Sequence, residues 1–199
     1  MRQLKDLFLD KDLRVGGFYE LAIQVCQSAD NDPIRLYNHF IWTQKNVVGP
    51  FDINYNSIKV DTSNIEHNGI LHLENYAIPF RTFNIREDKP VETGFNWFDI
   101  FFYTAAIEHI FGSEFQTWVE NPKVPKPLTD FFKSTLKALY KIYPFQLAIL
   151  GFEVSGQYYL DGLRKPIGNW TTSSFYVGQN NYHIVAMENR KFVTEIEKL

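Results

Sequence analysis

The sequence has little cysteine and no long apolar run, and these two absences exclude several classes of protein. Cys26 is the single cysteine, so no disulfide forms within the chain, as expected in a reducing compartment. No stretch approaches the roughly 18 apolar residues of a membrane-spanning helix. Residues 1–17 mix Lys and Asp with apolar residues, a pattern unlike that of a secretory signal. We therefore expect a cytoplasmic protein without membrane contact.

The sequence also lacks a basic excess and the glycine-rich loops of nucleotide-binding proteins. Its 20 Lys and Arg stand against 23 Asp and Glu, for a formal net charge of −3. Nucleic-acid-binding proteins use surplus cations to displace the counterions of phosphates, so no nucleic-acid partner is expected. Neither G-x-x-x-x-G-K-[ST] nor G-x-G-x-x-G occurs in the sequence. We expect no cofactor.

Aromatic side chains are abundant, at 17% of the 199 residues. The hydrophobic fraction of 45% is ordinary for a soluble domain. A chain of this length buries roughly 70% of the surface that it exposes when unfolded, which is enough for a full core. One globular domain over residues 1–199 is expected.

Two patterns of apolar residues predict the strands and helices. Alternation or an unbroken apolar run predicts strands 18–26, 58–60, 70–78, 80–86, 95–103, 145–154 and 174–177. Apolar residues three and four apart, together with capping residues, predict helices 4–9, 33–45, 104–111 and 129–142. The first long strand, 18–26, is expected to bury one face only, because Glu20 and Gln24 interrupt its other face. We expect 97–103 and 146–152 to be core strands and 129–142 to be a surface helix.

Turn and breaker residues divide these elements. Asn68-Gly69 predicts a turn before strand 70–78. Pro79 predicts a sheet edge or a bend, because proline cannot donate to a central ladder. Residues 182–199 fit one helical stripe and also two strands turning at 188–190. Because the strands cluster rather than alternate strictly with helices, we expect an α+β fold. Its sheet is mostly antiparallel or mixed, with two to four helices packed on it.

A carboxyl group within an aromatic strand is the strongest candidate for acid–base chemistry. Asp99 stands in FNWFDIFFY, where burial would raise its pKa and prepare it as a general acid. Glu153 interrupts the second apolar strand, and Glu108 and His109 follow Asp99 on the next element. These four side chains would form a cleft if the strand ends converge. The alternative is that each carboxylate has a structural partner or protects a sheet edge.

Metal and nucleophile candidates are weaker. His72 and Glu74 would share one face of a strand, and His67 would join them across the Asn68-Gly69 turn. The spacing fits no standard zinc site, so we expect no metal. Cys26 precedes a predicted helix, and Ser155 lies in a sequence without the full G-x-S-x-G pattern. Both are interpreted as structural.

Aromatic and acidic residues in polar loops suggest a surface for another protein. Tyrosine and tryptophan bring large contact area at little entropic cost, and carboxylates steer encounters with basic partners. The predicted partner-binding residues are Phe51, Tyr55, Glu87, Asp88, Tyr158, Tyr159 and Trp170. The alternative for the rings is that they cover the edges of the core.

Two classes of function follow from these features. The first is a noncatalytic cytoplasmic interaction protein, for example an immunity-type inhibitor that neutralises a toxin or enzyme by occluding it. The second is a small hydrolase-like enzyme or a small-ligand-binding protein with a carboxylate and histidine cleft near Asp99, Glu108, His109 and Glu153. Because no catalytic set is visible in the sequence, we favour the first class, with a protein as the partner.

Overall fold

A computed structural model describes residues 3–87, 94–115, 123–168 and 173–199. The described strands are β1 (Phe18–Gln27), β2 (Val47–Phe51), β3 (Glu66–Leu73), β4 (Tyr76–Arg86), β5 (Phe95–Tyr103), β6 (Leu147–Phe152), β7 (Ser174–Val177) and β8 (Val193–Glu195). The described helices are α1 (Leu4–Leu9), α2 (Asp32–Trp42), α3 (Thr104–Phe111), α4 (Lys126–Ile142) and the single turn α5 (Gln179–Tyr182). Short 3₁₀ turns complete the elements at Lys11–Arg14, Ser113–Phe115, Leu160–Arg164, Met187–Asn189 and Ile196–Lys198.

The eight strands form one sheet in the order β2-β3-β4-β5-β1-β6-β7-β8. Neighbouring strands are antiparallel except β7 and β8, which are parallel. This architecture confirms the α+β fold with a mostly antiparallel sheet. β1 and β5 lie side by side at its centre, and Leu21 pairs with Ile100.

Helices α2 and α4 cover one face of the sheet, which we call the helix face. The apolar side of each amphipathic helix meets strand aromatics there. Tyr37 of α2 lies 5.7 Å from Phe98, and Phe132 of α4 lies 5.6 Å from Phe102, ring centre to ring centre. These contacts confirm 129–142 as an amphipathic helix and 97–103 as core strand.

The opposite face of the sheet is also buried, which the pattern of β1 did not predict. Glu20 and Gln24 of β1 are both almost inaccessible to solvent. Leu160 and Leu163, in the 3₁₀ turn after β6, and Val185, in the turn after α5, cover this second face. The backbone N–H of Leu160 donates to Gln24 Oε1 at 3.1 Å. A polar side chain of β1 thus holds the covering segment on the second face.

The hairpin of β3 and β4 differs from its prediction. Its turn is at Glu74-Asn75, where Glu74 has φ of 50°, and Asn68-Gly69 lies inside β3. Gly69 fits there because a Cβ would come within 2.6 Å of the Trp42 ring. Pro79 pairs with Ile70 of β3 and lies beyond the last β4–β5 pair, so it interrupts no central ladder. β4 is an interior strand between β3 and β5, but Pro79 lies where β4 pairs on one side only, in agreement with the predicted exclusion of this proline from a central ladder.

The last segment is neither one helix nor a hairpin. Val193 belongs to the apolar cluster of the second face, whereas Ile196 belongs to that of the helix face. The chain therefore crosses the sheet edge at β8. The predicted strand 58–60 is absent from the described elements, and β2 forms at Val47–Phe51 instead.

Candidate functional site

Asp99 lies on the second face of the sheet, where it meets a serine and a glutamate. β5 places Asp99 opposite Ala22 of β1, and Glu20 lies two residues earlier on β1. The turn after β6 brings Ser155 Oγ to 2.7 Å from Asp99 Oδ2 and 2.9 Å from Glu20 Oε2. The backbone N–H of Ser155 also donates to Glu20 Oε1 at 2.9 Å. We call Glu20, Asp99 and Ser155 the acidic cluster.

The acidic cluster requires one protonated carboxyl group. A serine hydroxyl has one proton, so Ser155 donates to only one of the two carboxyl groups. The other short O···O contact needs a proton from the carboxyl side, because two bare acceptor oxygens repel each other. Asp99 is the better holder of this proton, since it is completely buried, whereas Glu20 already accepts the Ser155 N–H.

Burial sets the protonation states of the cluster. Desolvation, reinforced by the charge of Glu20, raises the pKa of Asp99 to about 8. Burial also raises the pKa of Glu20, while the hydrogen bonds from Ser155 oppose that rise. At neutral pH, neutral Asp99 therefore donates to Ser155 Oγ, and Ser155 donates to the Glu20 carboxylate. The chain of hydrogen bonds fastens the turn after β6 to the sheet.

The other acid–base candidates do not join Asp99. Glu153 lies against Gly17, where a Cβ would come within 2.7 Å of Glu153 Oε1. After burial, which is the main cause, its charge contributes to the raised pKa of Glu20. Glu108 and His109 line a separate recess of about 380 Å³ with Asp10 and Asp12. The described residues do not form the cleft of Asp99, Glu153, Glu108 and His109 that the enzymatic alternative requires, because α3 packs on the helix face, whereas Asp99 lies on the second face.

The histidine candidates also lie apart. His67 and His72 are both on β3, an odd number of residues apart, so they point to opposite faces. His67 is buried 5.9 Å from the Trp42 ring, and its Nε2 accepts the backbone N–H of Asp61 at 3.2 Å. Burial lowers the pKa of His67, and Glu74 belongs to the exposed hairpin turn. Within the described residues, no three His, Cys, Asp or Glu side chains are grouped for a metal ion.

Cys26 has structural contacts. Its thiol lies 3.2 Å from the carbonyl oxygen of Asp30 as a donor and 3.7 Å from the amide nitrogen of Asn96. Burial raises the pKa of Cys26, which disfavours the nucleophilic thiolate.

The aromatic residues predicted to bind a partner pack within the molecule. Phe51 stacks on Tyr55 at 4.2 Å, and both rings contact Phe8 of α1. Tyr158 meets Phe175 edge to face at 5.1 Å. These rings pack on the edges of the core. Trp170 and Asp88 lie outside the described residues.

Glu87 is buried, whereas an exposed acid was expected there. Its Oε1 accepts the indole N–H of Trp97 at 3.0 Å and the hydroxyl of Tyr159 at 2.6 Å. Its Oε2 accepts the backbone N–H of Phe95 at 3.2 Å. The carboxylate thus orients two aromatic rings that belong to different segments.

A recess of about 480 Å³ opens where the beginning of α2 faces the adjacent ends of β4 and β5. We call it the α2 recess. Ile34, Ile65, Ile85 and Trp97 provide its apolar lining, and Arg86 provides a cation. Five amide or hydroxyl side chains complete the described lining, which contains neither a carboxylate nor a histidine. Sequence reasoning missed this site, because its residues come from four separate segments.

No known protein family, curated protein or solved structure matches this chain. Among the described helices, none combines the length and the apolar character needed to cross a membrane. The function therefore has to be inferred from the side chains of the chain itself.

Proposed function

We propose that this chain is a noncatalytic protein that acts by binding a partner protein and occluding part of its surface. The observation that carries the proposal is the environment of Asp99. The sequence makes this residue the strongest acid–base candidate, but its carboxyl group is completely buried and bonded to Ser155. A general acid or base needs access to a substrate, and Asp99 instead fastens a turn to the sheet.

The positions of the other titratable groups support the same proposal. Glu153 lies against Gly17, and the described lining of the recess that contains His109 includes neither Asp99 nor Glu153. The α2 recess is lined, among the described residues, by apolar, amide and hydroxyl groups and one arginine. Such a lining suits binding rather than proton transfer. An immunity-type inhibitor or a subunit adaptor of the cytoplasm would function in this way.

Capture of the partner from cells of the protein's own source tests this proposal. A tagged wild-type chain and its Asp99→Asn variant would be cross-linked, purified and analysed by mass spectrometry. We expect one stoichiometric partner, retained equally by both chains, because asparagine preserves a hydrogen bond to Ser155. Absence of a partner across growth conditions would contradict the proposal. So would an enzymatic rate that Asp99→Asn abolishes while circular dichroism shows an unchanged fold.

The recess of Glu108 and His109 is where an enzymatic alternative would reside. It contains a histidine beside several carboxylates, in a volume of about 380 Å³. A hydrolytic activity at this recess would depend on the imidazole. The test is a screen of ester, phosphate and peptide substrates with wild-type chain and the His109→Ala variant. A rate that this variant loses would replace the binding proposal.

A further inference from the structure

His67 is a buried histidine that ties a surface segment to the sheet. Its side chain is inaccessible to solvent and lies 5.9 Å from the Trp42 ring of α2, ring centre to ring centre. Its register position on β3 is opposite Thr82 of β4. Its Nε2 accepts the backbone N–H of Asp61 at 3.2 Å. Asp61 belongs to the segment that joins β2 to β3, so this bond holds that segment against β3.

The bond between His67 and Asp61 requires a neutral imidazole. A ring nitrogen that accepts a hydrogen bond carries no proton, so the proton of neutral His67 is on Nδ1. In the imidazolium both nitrogens are donors, and the Nε2–H group would face the backbone N–H of Asp61. Two donors form no hydrogen bond with each other. Protonation of His67 therefore breaks its bond to Asp61.

The surroundings of His67 set the range of pH in which it is protonated. Burial is the main influence on the pKa of His67 and lowers it. Among the described residues, the charges of Asp61 and Glu66 oppose this effect and raise the pKa, although Glu66 is paired with Arg81 at 3.1 Å. The side chains that α2 and β4 place against His67 are uncharged. The imidazole is therefore neutral at pH 7 and becomes charged only below about pH 6.5.

The carboxylate of Asp61 is available to a charged His67. It accepts the backbone N–H of Ser63 at 2.9 Å within a turn. Hydrogen bonds from Ser63 hold the pKa of Asp61 below its usual value, so this group is still ionised when His67 takes up a proton. An imidazolium attracts a neighbouring carboxylate, and an Asp61 side chain that rotates towards Nε2–H gives up its bond to Ser63.

We propose that His67 is a pH-sensitive switch, which holds residues 61–63 against β3 when it is neutral and releases them when it is protonated. In acid, the backbone N–H of Asp61 loses its acceptor. The carboxylate of Asp61 then exchanges the backbone of Ser63 for the imidazolium, and the turn opens.

The change is confined to a short part of the chain. Asn84 of β4 donates to the carbonyl oxygen of Asn64 at 3.0 Å and to that of Ile65 at 2.8 Å. These bonds do not involve a titratable group, so they fix the chain from Asn64 onward. Two residues of the released segment line the α2 recess. Acid therefore changes the shape of one wall of this recess while the sheet stays intact.

An NMR titration of the wild-type chain from about pH 7.5 to about pH 4.5 tests the switch. At neutral pH, long-range ¹H–¹⁵N spectra should show the proton of His67 on Nδ1. On acidification, the amide signals of Asp61 and Ser63 should shift with the same midpoint as the imidazole, below about pH 6.5. The amide signals of β6 should stay unchanged.

Three results of this titration would overturn the switch. The first is a neutral His67 that carries its proton on Nε2, because that nitrogen could not accept from Asp61. The second is protonation of His67 without a shift at Asp61 and Ser63. The third is a simultaneous change in the signals of β6, which would mean that the whole domain unfolds.

A variant of His67 and a matched control locate the effect. Glutamine offers an acceptor for the backbone N–H of Asp61 but does not titrate, so His67→Gln should abolish the shifts at Asp61 and Ser63. His72→Gln changes the other histidine of β3, an odd number of residues away and therefore on the opposite face, and should leave the shifts unchanged. Shifts that persist in His67→Gln would contradict the switch.

Asp61→Asn tests the exchange of partners without altering the histidine. Asparagine keeps an acceptor for Ser63 but carries no charge, so the midpoint of His67 should fall by about half a pH unit, as expected for the loss of an exposed charge pair. An unchanged midpoint would contradict the role of the carboxylate. This variant and the wild-type tautomer decide the question even if His67→Gln fails to fold.

Discussion

Asp99 shows how a single buried group makes stability depend on pH. Its pKa rises from 3.8 to about 8 on folding. Between these values the folded chain keeps a proton that the unfolded chain releases, so the free energy of unfolding falls as pH increases. Below the lower value both states are protonated, and above the upper value both are ionised. The decrease is therefore confined to the window between about pH 4 and pH 8.

The Asp99→Asn variant should remove this decrease. Asparagine resembles the neutral acid and keeps a donor for Ser155 Oγ, so its stability has no contribution from this titration. Relative to wild type, the variant should gain up to about 1.4 kcal/mol per pH unit as pH rises through the window. Urea unfolding at about pH 5, 7 and 9 measures the difference. A difference that stays constant with pH would show that Asp99 is ionised in the folded chain.

The sequence predicted the burial of Asp99 but not its partners. Its position among aromatic residues was sufficient to expect a raised pKa. Ser155 is 56 residues away from Asp99 along the chain. The two residues meet because a single strand, β1, lies between β5 and β6 in the sheet and because the turn after β6 folds over the second face. The α2 recess was missed for the same reason, since loop 61–65 and the start of α2 meet only in the folded chain.

At the level of elements, the packing of α4 on the sheet can be tested by substitution of one buried residue of the helix. Phe132 contacts Phe102 at 5.6 Å and Tyr19 at 5.6 Å between ring centres. Phe132→Ala should lower the free energy of unfolding by about 3 to 5 kcal/mol, because it leaves a cavity between helix and sheet. Lys133→Ala, on the exposed side of the same turn, should stay within about 0.5 kcal/mol. Chemical denaturation compares the two, and similar losses would contradict the packing of α4 through Phe132.

Elements with a strong local pattern were predicted well. The aromatic run of β5, although Asn96 and Asp99 interrupt it, and the apolar spacing of α4 are strong local signals. Strand β7 was predicted at its observed residues, 174–177. The predicted position of the β3–β4 turn was wrong because Asn68-Gly69 is a stronger turn signal in the sequence than Glu74-Asn75. Glycine is needed at position 69 for a different reason, since the Trp42 ring approaches the strand closely there. The tail was ambiguous because its apolar residues serve both faces of the sheet.

At the scale of the molecule, one sheet is shared by two apolar layers. Trp42 packs on Phe80 at 5.1 Å on the helix face, and Trp97 belongs to the cluster of the second face. The described chain links the layers through β1, whose alternate residues enter each of them, and through the crossing at β8. Disruption of the sheet beneath one apolar layer therefore also exposes the apolar side chains of the other layer.

The two layers should therefore unfold together. In a chain labelled with 5-fluorotryptophan, the ¹⁹F signals of Trp42 and Trp97, assigned through Trp42→Phe and Trp97→Phe, should disappear with the same midpoint in urea. Coincident midpoints from probes on both faces are the mark of a two-state transition, as expected for one domain over residues 1–199. An earlier loss of the Trp97 signal would mean that the cover of the second face opens as a separate unit. In that case the acidic cluster would open with it, since Ser155 belongs to that cover, and Asp99→Asn would shift the Trp97 midpoint alone.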